Sequence, residues 1–203
     1  MFNCTLVGQA FPDFTAAAVL GDGTIVDSFK LSDRIRGKYA VLFFYPLDFT
    51  FVCPTELVAF DEYKQEFDKK NVELIGISID SEHTHAAWRN TPLNKGGVGS
   101  LSYPLVADIS HEICQSYGVE HQEKRVAYRA TCIIDHQGII RHQSVNDLPI
   151  GRDPMEYLRL IDAIQHHEQY GEVCPAGWNK GKKAIEATQE SVSAYLEQFI
   201  KES

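Results

Sequence analysis

The sequence has no excess of positive charge, no long apolar run and no closely spaced cysteine pair. Each absence excludes something. Of 203 residues, 28 are acidic and 19 basic, a formal net charge of −9, whereas nucleic-acid binders normally show a basic face. No stretch approaches the ~20 apolar residues of a membrane-spanning helix. The opening residues Met1-Phe2-Asn3-Cys4-Thr5 lack a basic segment followed by an apolar one. No secretory signal is read, and a cytoplasmic protein is expected, with neither nucleic acid nor membrane as partner. Repeats and low-complexity tracts are also missing.

The five cysteines, Cys4, Cys53, Cys114, Cys132 and Cys174, are odd in number and scattered. In a reducing compartment a disulfide among them is expected to be transient and catalytic, not structural. The residue three after Cys53 is Glu56, so the Cys-x-x-Cys redox motif is missing. No cysteine pair has zinc-ligand spacing, and neither His83/His85 nor His166/His167 is joined to one. No metal or other cofactor is expected.

Hydrophobic residues at 44% and charged residues at 23% suit one globular domain with a terminal extension. Short apolar runs predict strands at 39–45, 72–79, 105–107 and 130–134. A turn at Asp135-His136-Gln137-Gly138 leads to a fifth strand over 139–143. Apolar spacing through Val58, Phe60, Tyr63 and Phe67 predicts a helix over 55–69. Shorter helices are expected over 81–89 and 110–117. Asp153-Pro154-Met155-Glu156 is a helix start, with an acidic cap and proline at the first helical position; Gly171 ends that helix. A polar helix is expected over 184–201. Strands alternating with helices indicate an α/β fold with a mixed central sheet.

Cys53 follows a strand and a loop and precedes Pro54. Proline favours the first helical turn, which places Cys53 at the N-cap. Backbone N–H groups and the helix dipole favour an anion there, and a thiolate is the nucleophile of sulfur chemistry. Thr50 sits where its hydroxyl can approach the sulfur, Pro46 shapes the loop, and Glu56 is spaced to reach back as in a capping box. The plain alternative is that Cys53 is a small buried hydrophobe.

Pro46-Leu47-Asp48-Phe49-Thr50-Phe51-Val52-Cys53-Pro54 resembles the peroxiredoxin motif, proline-x-x-x-threonine-x-x-cysteine-proline. Further segments resemble the typical two-cysteine subfamily. These are Pro12-Asp13-Phe14, His85-Ala86-Ala87-Trp88, Tyr128-Arg129, the run from Asn146 to Arg152, and the run from Glu172 to Trp178. The resemblance spans nearly the whole chain. It implies a thioredoxin-like peroxidase domain over 1–170 and a C-terminal extension over 171–203. It also implies that Cys53 is the peroxidatic cysteine, and that Thr50 and Arg129 hold the peroxide and stabilise the thiolate. Pro46 would be the loop proline, with Glu56 and Arg152 in support. Arg129 has the plain alternative of a surface ion pair.

On the same resemblance Cys174 is the resolving cysteine, pairing with Cys53 of the other chain of a homodimer. Five dimers would form a decamer. The substrates are hydrogen peroxide and organic hydroperoxides, and the reductant is thioredoxin or a flavoprotein disulfide reductase. Cys132 and Cys114 are expected in packed positions, and Cys4 is left open. Gly96-Gly97-Val98-Gly99 resembles the glycine insertion of peroxide-sensitive members, while Tyr195-Leu196 stands where those members carry tyrosine-phenylalanine. Intermediate sensitivity to overoxidation is the expectation. A holdase chaperone and a peroxide-sensing relay are the alternative functions.

Overall fold

The computed structural model describes residues 5–200, with side chains through residue 197; Cys4 lies outside the described residues. In chain order the elements are β1 (Thr15–Val19), β2 (Ile25–Lys30), α1 (Leu31–Arg34), β3 (Tyr39–Phe44), α2 (Cys53–Glu62), α3 (Lys64–Lys69), β4 (Val72–Ser78) and α4 (Glu82–Asn90). Then follow a 3₁₀ turn (Leu93–Lys95), β5 (Leu105–Ala107), α5 (Glu112–Ser116), β6 (Glu120–His121), β7 (Val126–Ala127), β8 (Arg129–Ile134), β9 (Ile140–Asn146), α6 (Pro154–Tyr170) and α7 (Gln189–Ile200). Two compact units divide the chain, residues 1–154 and 155–203. No helix among the described residues is long and apolar enough to cross a membrane.

The first unit is built on a seven-stranded sheet ordered β2-β1-β5-β4-β3-β8-β9. Its centre is parallel, with β3 pairing β4 and β4 pairing β5, while β8, β9, β1 and β2 pair antiparallel. The sheet is therefore mixed, as expected. Both faces of β3 are covered, which is why its sequence is apolar without alternation. Ala40, Leu42 and Phe44 enter the cluster with Ile75, Ile77 and Val106. Phe43 points to the opposite face and stacks on Phe60 of α2, centroids 4.3 Å apart. Each such fully buried side chain contributes about 1.5–3 kcal/mol.

The elements differ from expectation in places. The helix predicted over 55–69 is two helices, α2 and α3, meeting at Tyr63, whose φ −94 and ψ 2 leave the helical region. Phe60 and Phe67 remain buried on either side of the bend. The β1–β2 hairpin carries no strand signal because Thr15-Ala16-Ala17-Ala18-Val19 is mostly alanine, a weak strand former. It forms because a tight turn, Gly23 N to Leu20 O at 2.9 Å, brings β2 back, and β5 templates the other side of β1.

In the second unit, α6 ends at Tyr170, and Gly171 at φ 71 donates to His167 O at 2.8 Å, as expected. The tail helix begins at Gln189 instead of 184. Ile185 is not helical because it pairs with Val173, N–H to O in both directions at 2.8 and 3.1 Å.

Candidate active site

Cys53 is fully buried and is the first residue of α2. The N-cap is Val52, one residue earlier than the sequence reading placed it. Val52 already has helical φ and ψ, and its carbonyl accepts from Thr55 N at 3.0 Å and Glu56 N at 3.3 Å. Pro54, which has no N–H, costs no hydrogen bond in this first turn.

Arg129, at the start of β8, is 4% exposed and is not a surface ion-pair residue. Its Nη1 lies 3.3 Å from Cys53 Sγ and donates to Glu56 Oε2 at 2.7 Å. Its Nε donates to Leu148 O at 2.6 Å, which fixes the guanidinium plane. Glu56 does not form the capping box. Its carboxylate lies between two guanidiniums: Arg152 donates from N and Nε to Oε1 at 3.0 and 2.8 Å, and from Nη2 to Oε2 at 3.0 Å. Charge-assisted, bidentate bonds in a dry site outcompete a single contact to a backbone N–H. Arg152 is held in turn by Ala130 O, Thr131 Oγ1 and the Phe43 and Phe60 rings.

Two buried guanidiniums against one carboxylate leave a surplus positive charge. The sulfur that touches it is Cys53, the position where a negative charge would balance the cluster. Thr50 donates its hydroxyl to Leu47 O at 2.8 Å, a brace within the loop, and not to Cys53. Its oxygen remains an acceptor. Pro46 is buried at the end of β3, where the loop leaves the sheet.

Residues 7–143 match the AhpC/TSA family, and residues 163–198 match the C-terminal domain of 1-Cys peroxiredoxin. The chain belongs to the peroxiredoxin family of thiol peroxidases. It is 49% identical over 196 residues to alkyl hydroperoxide reductase C of Buchnera aphidicola, covering 97% of this chain and 99% of the relative. It is 50% identical over 190 residues to peroxiredoxin-2 of Mus musculus, covering 94% of each. The reduced 2-Cys peroxiredoxin of Plasmodium vivax has a TM-score of 0.91 at 48% identity, covering 95% of this chain and 99% of that one. The thioredoxin-like fold expected from the sequence is thereby confirmed.

The peroxiredoxin loop between β3 and α2 is pinned by groups that sequence reasoning missed. Asp48 is buried and accepts from Tyr45 Oη at 2.8 Å; its other oxygen lies 2.8 Å from His85 Nδ1 on α4. Asp48 N donates to Asp80 Oδ2 at 2.9 Å. Burial raises the Asp48 carboxyl, and His85 pulls it the other way. Burial and the Asp48 charge hold the Tyr45 hydroxyl well above its ordinary range. The spacing of Asp48 and His85 carried no signal, since they meet only through the fold.

The other cysteines of this peroxiredoxin are chemically distinct. Cys132 lies in β8, fully buried, and burial pushes its thiol up to about 12. Burial pushes Cys114 higher still, with the Asp108 charge adding to it. Cys114, His111 and Glu120 present ligand-type atoms within 4.8 Å of one another, a grouping their spacing did not reveal. Each already has partners. Glu120 takes His111, Gln115 and Arg125, and the Cys114 thiol donates to His111 O at 3.3 Å. Cys174 lies in the second unit, partly exposed, with its thiol 3.7 Å from Ala163 O. Burial and then the Glu172 charge raise its thiol above the ordinary value.

Proposed function

We propose that this peroxiredoxin reduces hydrogen peroxide and organic hydroperoxides at Cys53 and completes each turnover through a disulfide with Cys174 of the partner subunit. The observation that carries the first half is Arg129 Nη1 at 3.3 Å from the Cys53 sulfur, within a cluster short of one negative charge. The thiolate attacks one peroxide oxygen, the O–O bond breaks, and the leaving oxygen departs as water or an alcohol after taking a proton. Arg129 stabilises the charge moving onto the leaving oxygen, and Thr50, whose hydroxyl donates to Leu47 O, offers its oxygen as an acceptor for the peroxide O–H. Cys53 is left as a sulfenic acid. A Cys174 thiol then displaces its oxygen as water, forming the disulfide. An external dithiol, on thioredoxin or a flavoprotein disulfide reductase, returns both thiols.

In this reading residues 1–170 supply the peroxidatic thiol and residues 171–203 the resolving one. A homodimer is the smallest complete unit, with a decamer of five dimers as the larger assembly, in the cytoplasm. Gly96 to Gly99 together with Tyr195-Leu196 support intermediate sensitivity to sulfinic-acid formation. Peroxide titrated against activity measures this, and inactivation as steep as in a tyrosine-phenylalanine enzyme would sink that part.

A coupled NADPH assay with thioredoxin and its reductase tests the whole reading. Cys53→Ser is expected to abolish turnover. Cys174→Ser is expected to form sulfenic acid but not to cycle. Robust cycling of Cys174→Ser would remove Cys174 from the mechanism.

A further inference from the structure

Residues 172–185 form a hairpin that closes on itself. Val173 and Ile185 exchange both backbone hydrogen bonds, and Trp178 Nε1 donates to Lys182 O at 3.0 Å. Its contacts with α6 are side-chain contacts. His166 lies at their centre. Its Nε2 is 2.8 Å from Glu172 Oε2, two residues before Cys174. Its ring lies 4.9 Å from the ring of Trp178, four residues after Cys174, and 4.8 Å from Tyr170. One side chain therefore grips both flanks of the thiol. His167 Nδ1 to Glu172 O at 2.7 Å and Arg159 to Trp178 O at 3.3 Å add to it. While the hairpin is docked, the Cys174 sulfur faces the Ala163 carbonyl of α6.

A thiol that faces its own helix is poorly placed to approach a sulfur on another chain to bonding distance, about 2 Å. We propose that His166 is a positioning residue that latches the Cys174 hairpin against α6, and that release of this latch limits the rate of disulfide formation. The proposal rests on the reading of Cys174 as the resolving thiol. The gated step itself is balanced: the Cys174 S–H proton and the Cys53 sulfenic hydroxyl leave as water while the S–S bond forms, with no outside oxidant. His166 touches none of the reacting atoms. It acts by holding the backbone on each side of Cys174.

The latch makes the resting enzyme slower to resolve, so a second peroxide has longer to reach the sulfenic acid. Loosening it should therefore protect the enzyme. The test separates the two partial reactions after one equivalent of peroxide. Sulfenic acid at Cys53 is trapped with a dimedone-type probe, and interchain disulfide is followed on non-reducing gels after rapid acid quench. His166→Ala is expected to leave sulfenic-acid formation at the wild-type rate and to accelerate disulfide formation about 5- to 10-fold, the scale of one lost charge-assisted hydrogen bond at a partly exposed site. His166→Phe keeps the ring packing and loses only the Glu172 bond, so it should fall between the two; it also serves if the alanine variant folds poorly. Acrylamide quenching of tryptophan fluorescence should rise in the same order, because Trp178 is buried in the docked hairpin and packs on the His166 ring. Disulfide formation that is unchanged or slower in both variants, with sulfenic-acid formation intact, would overturn the latch. Failure of the underlying reading looks different: Cys174→Ser would still form the interchain disulfide, whatever His166 does.

Discussion

A buried carboxylate between two buried guanidiniums is held in place by charge, and removing one member exposes the others to a dry environment unpaired. Glu56, Arg129 and Arg152 form such a group beside Cys53. Glu56→Gln keeps the shape but leaves both arginines uncompensated. It is expected to destabilise the protein by about 3–5 kcal/mol, measured by urea unfolding. Arg129→Met is different in kind. Glu56 keeps its two-oxygen pairing with Arg152, so the fold should persist, but the donor at the sulfur is gone. The second-order rate of Cys53 oxidation is expected to fall about 100- to 1000-fold, read from single-turnover peroxide consumption. A loss under tenfold would mean that Arg129 serves mainly to hold Glu56.

At the scale of elements, the segment Gly96 to Gly99 is a tight turn and not a loose loop. Trp88 Nε1 donates to Gly96 O at 2.8 Å, and Gly97 N donates to Pro92 O at 3.1 Å. A Cβ on Gly97 would stand 1.8 Å from Thr91 O, which is backbone and has little room to yield. Gly97→Ala should therefore cost about 1–3 kcal/mol in a urea melt. Gly96→Ala meets open space but a φ of 79, and should cost roughly 1 kcal/mol. Trp88 also packs on Tyr45 and Phe49, so this turn supports the loop that carries Thr50. In that loop Phe51 is 95% exposed, while Asp48 is tied to Tyr45, His85 and Asp80. The α2 start is thus anchored at Asp48 and open at Phe51. Local opening there is expected to begin at Phe51 and stop at Asp48.

For the whole molecule, the proposed cycle needs two chains. Cys53→Ser and Cys174→Ser are each expected to be inactive alone. Mixed and allowed to exchange subunits, they should regain activity, because a mixed dimer holds one complete pair: Cys53 from one chain and Cys174 from the other. No recovery, with exchange verified by mass, would place the disulfide within a single chain.

Some of this was legible in the residues. The buried strands β3, β4 and β8 announce themselves because a strand covered on both faces is apolar along most of its length. Cys53 announces itself through Pro54, because proline marks a helix start and a helix start favours an anion. The alanine-rich β1 was silent, since its strand character comes from its neighbours β2 and β5. The pairing of Glu56 with two arginines and the anchoring role of Asp48 were silent too. Local spacing made Glu56 a cap, but Arg129 and Arg152 lie 73 and 96 residues away, and only the folded sheet brings them to it. The sequence by itself determined which thiol begins a helix and which chemistry that position suits, because these depend on neighbours along the chain. The tertiary structure decided which charges surround that thiol, because burial and long-range pairing exist only once the chain has folded.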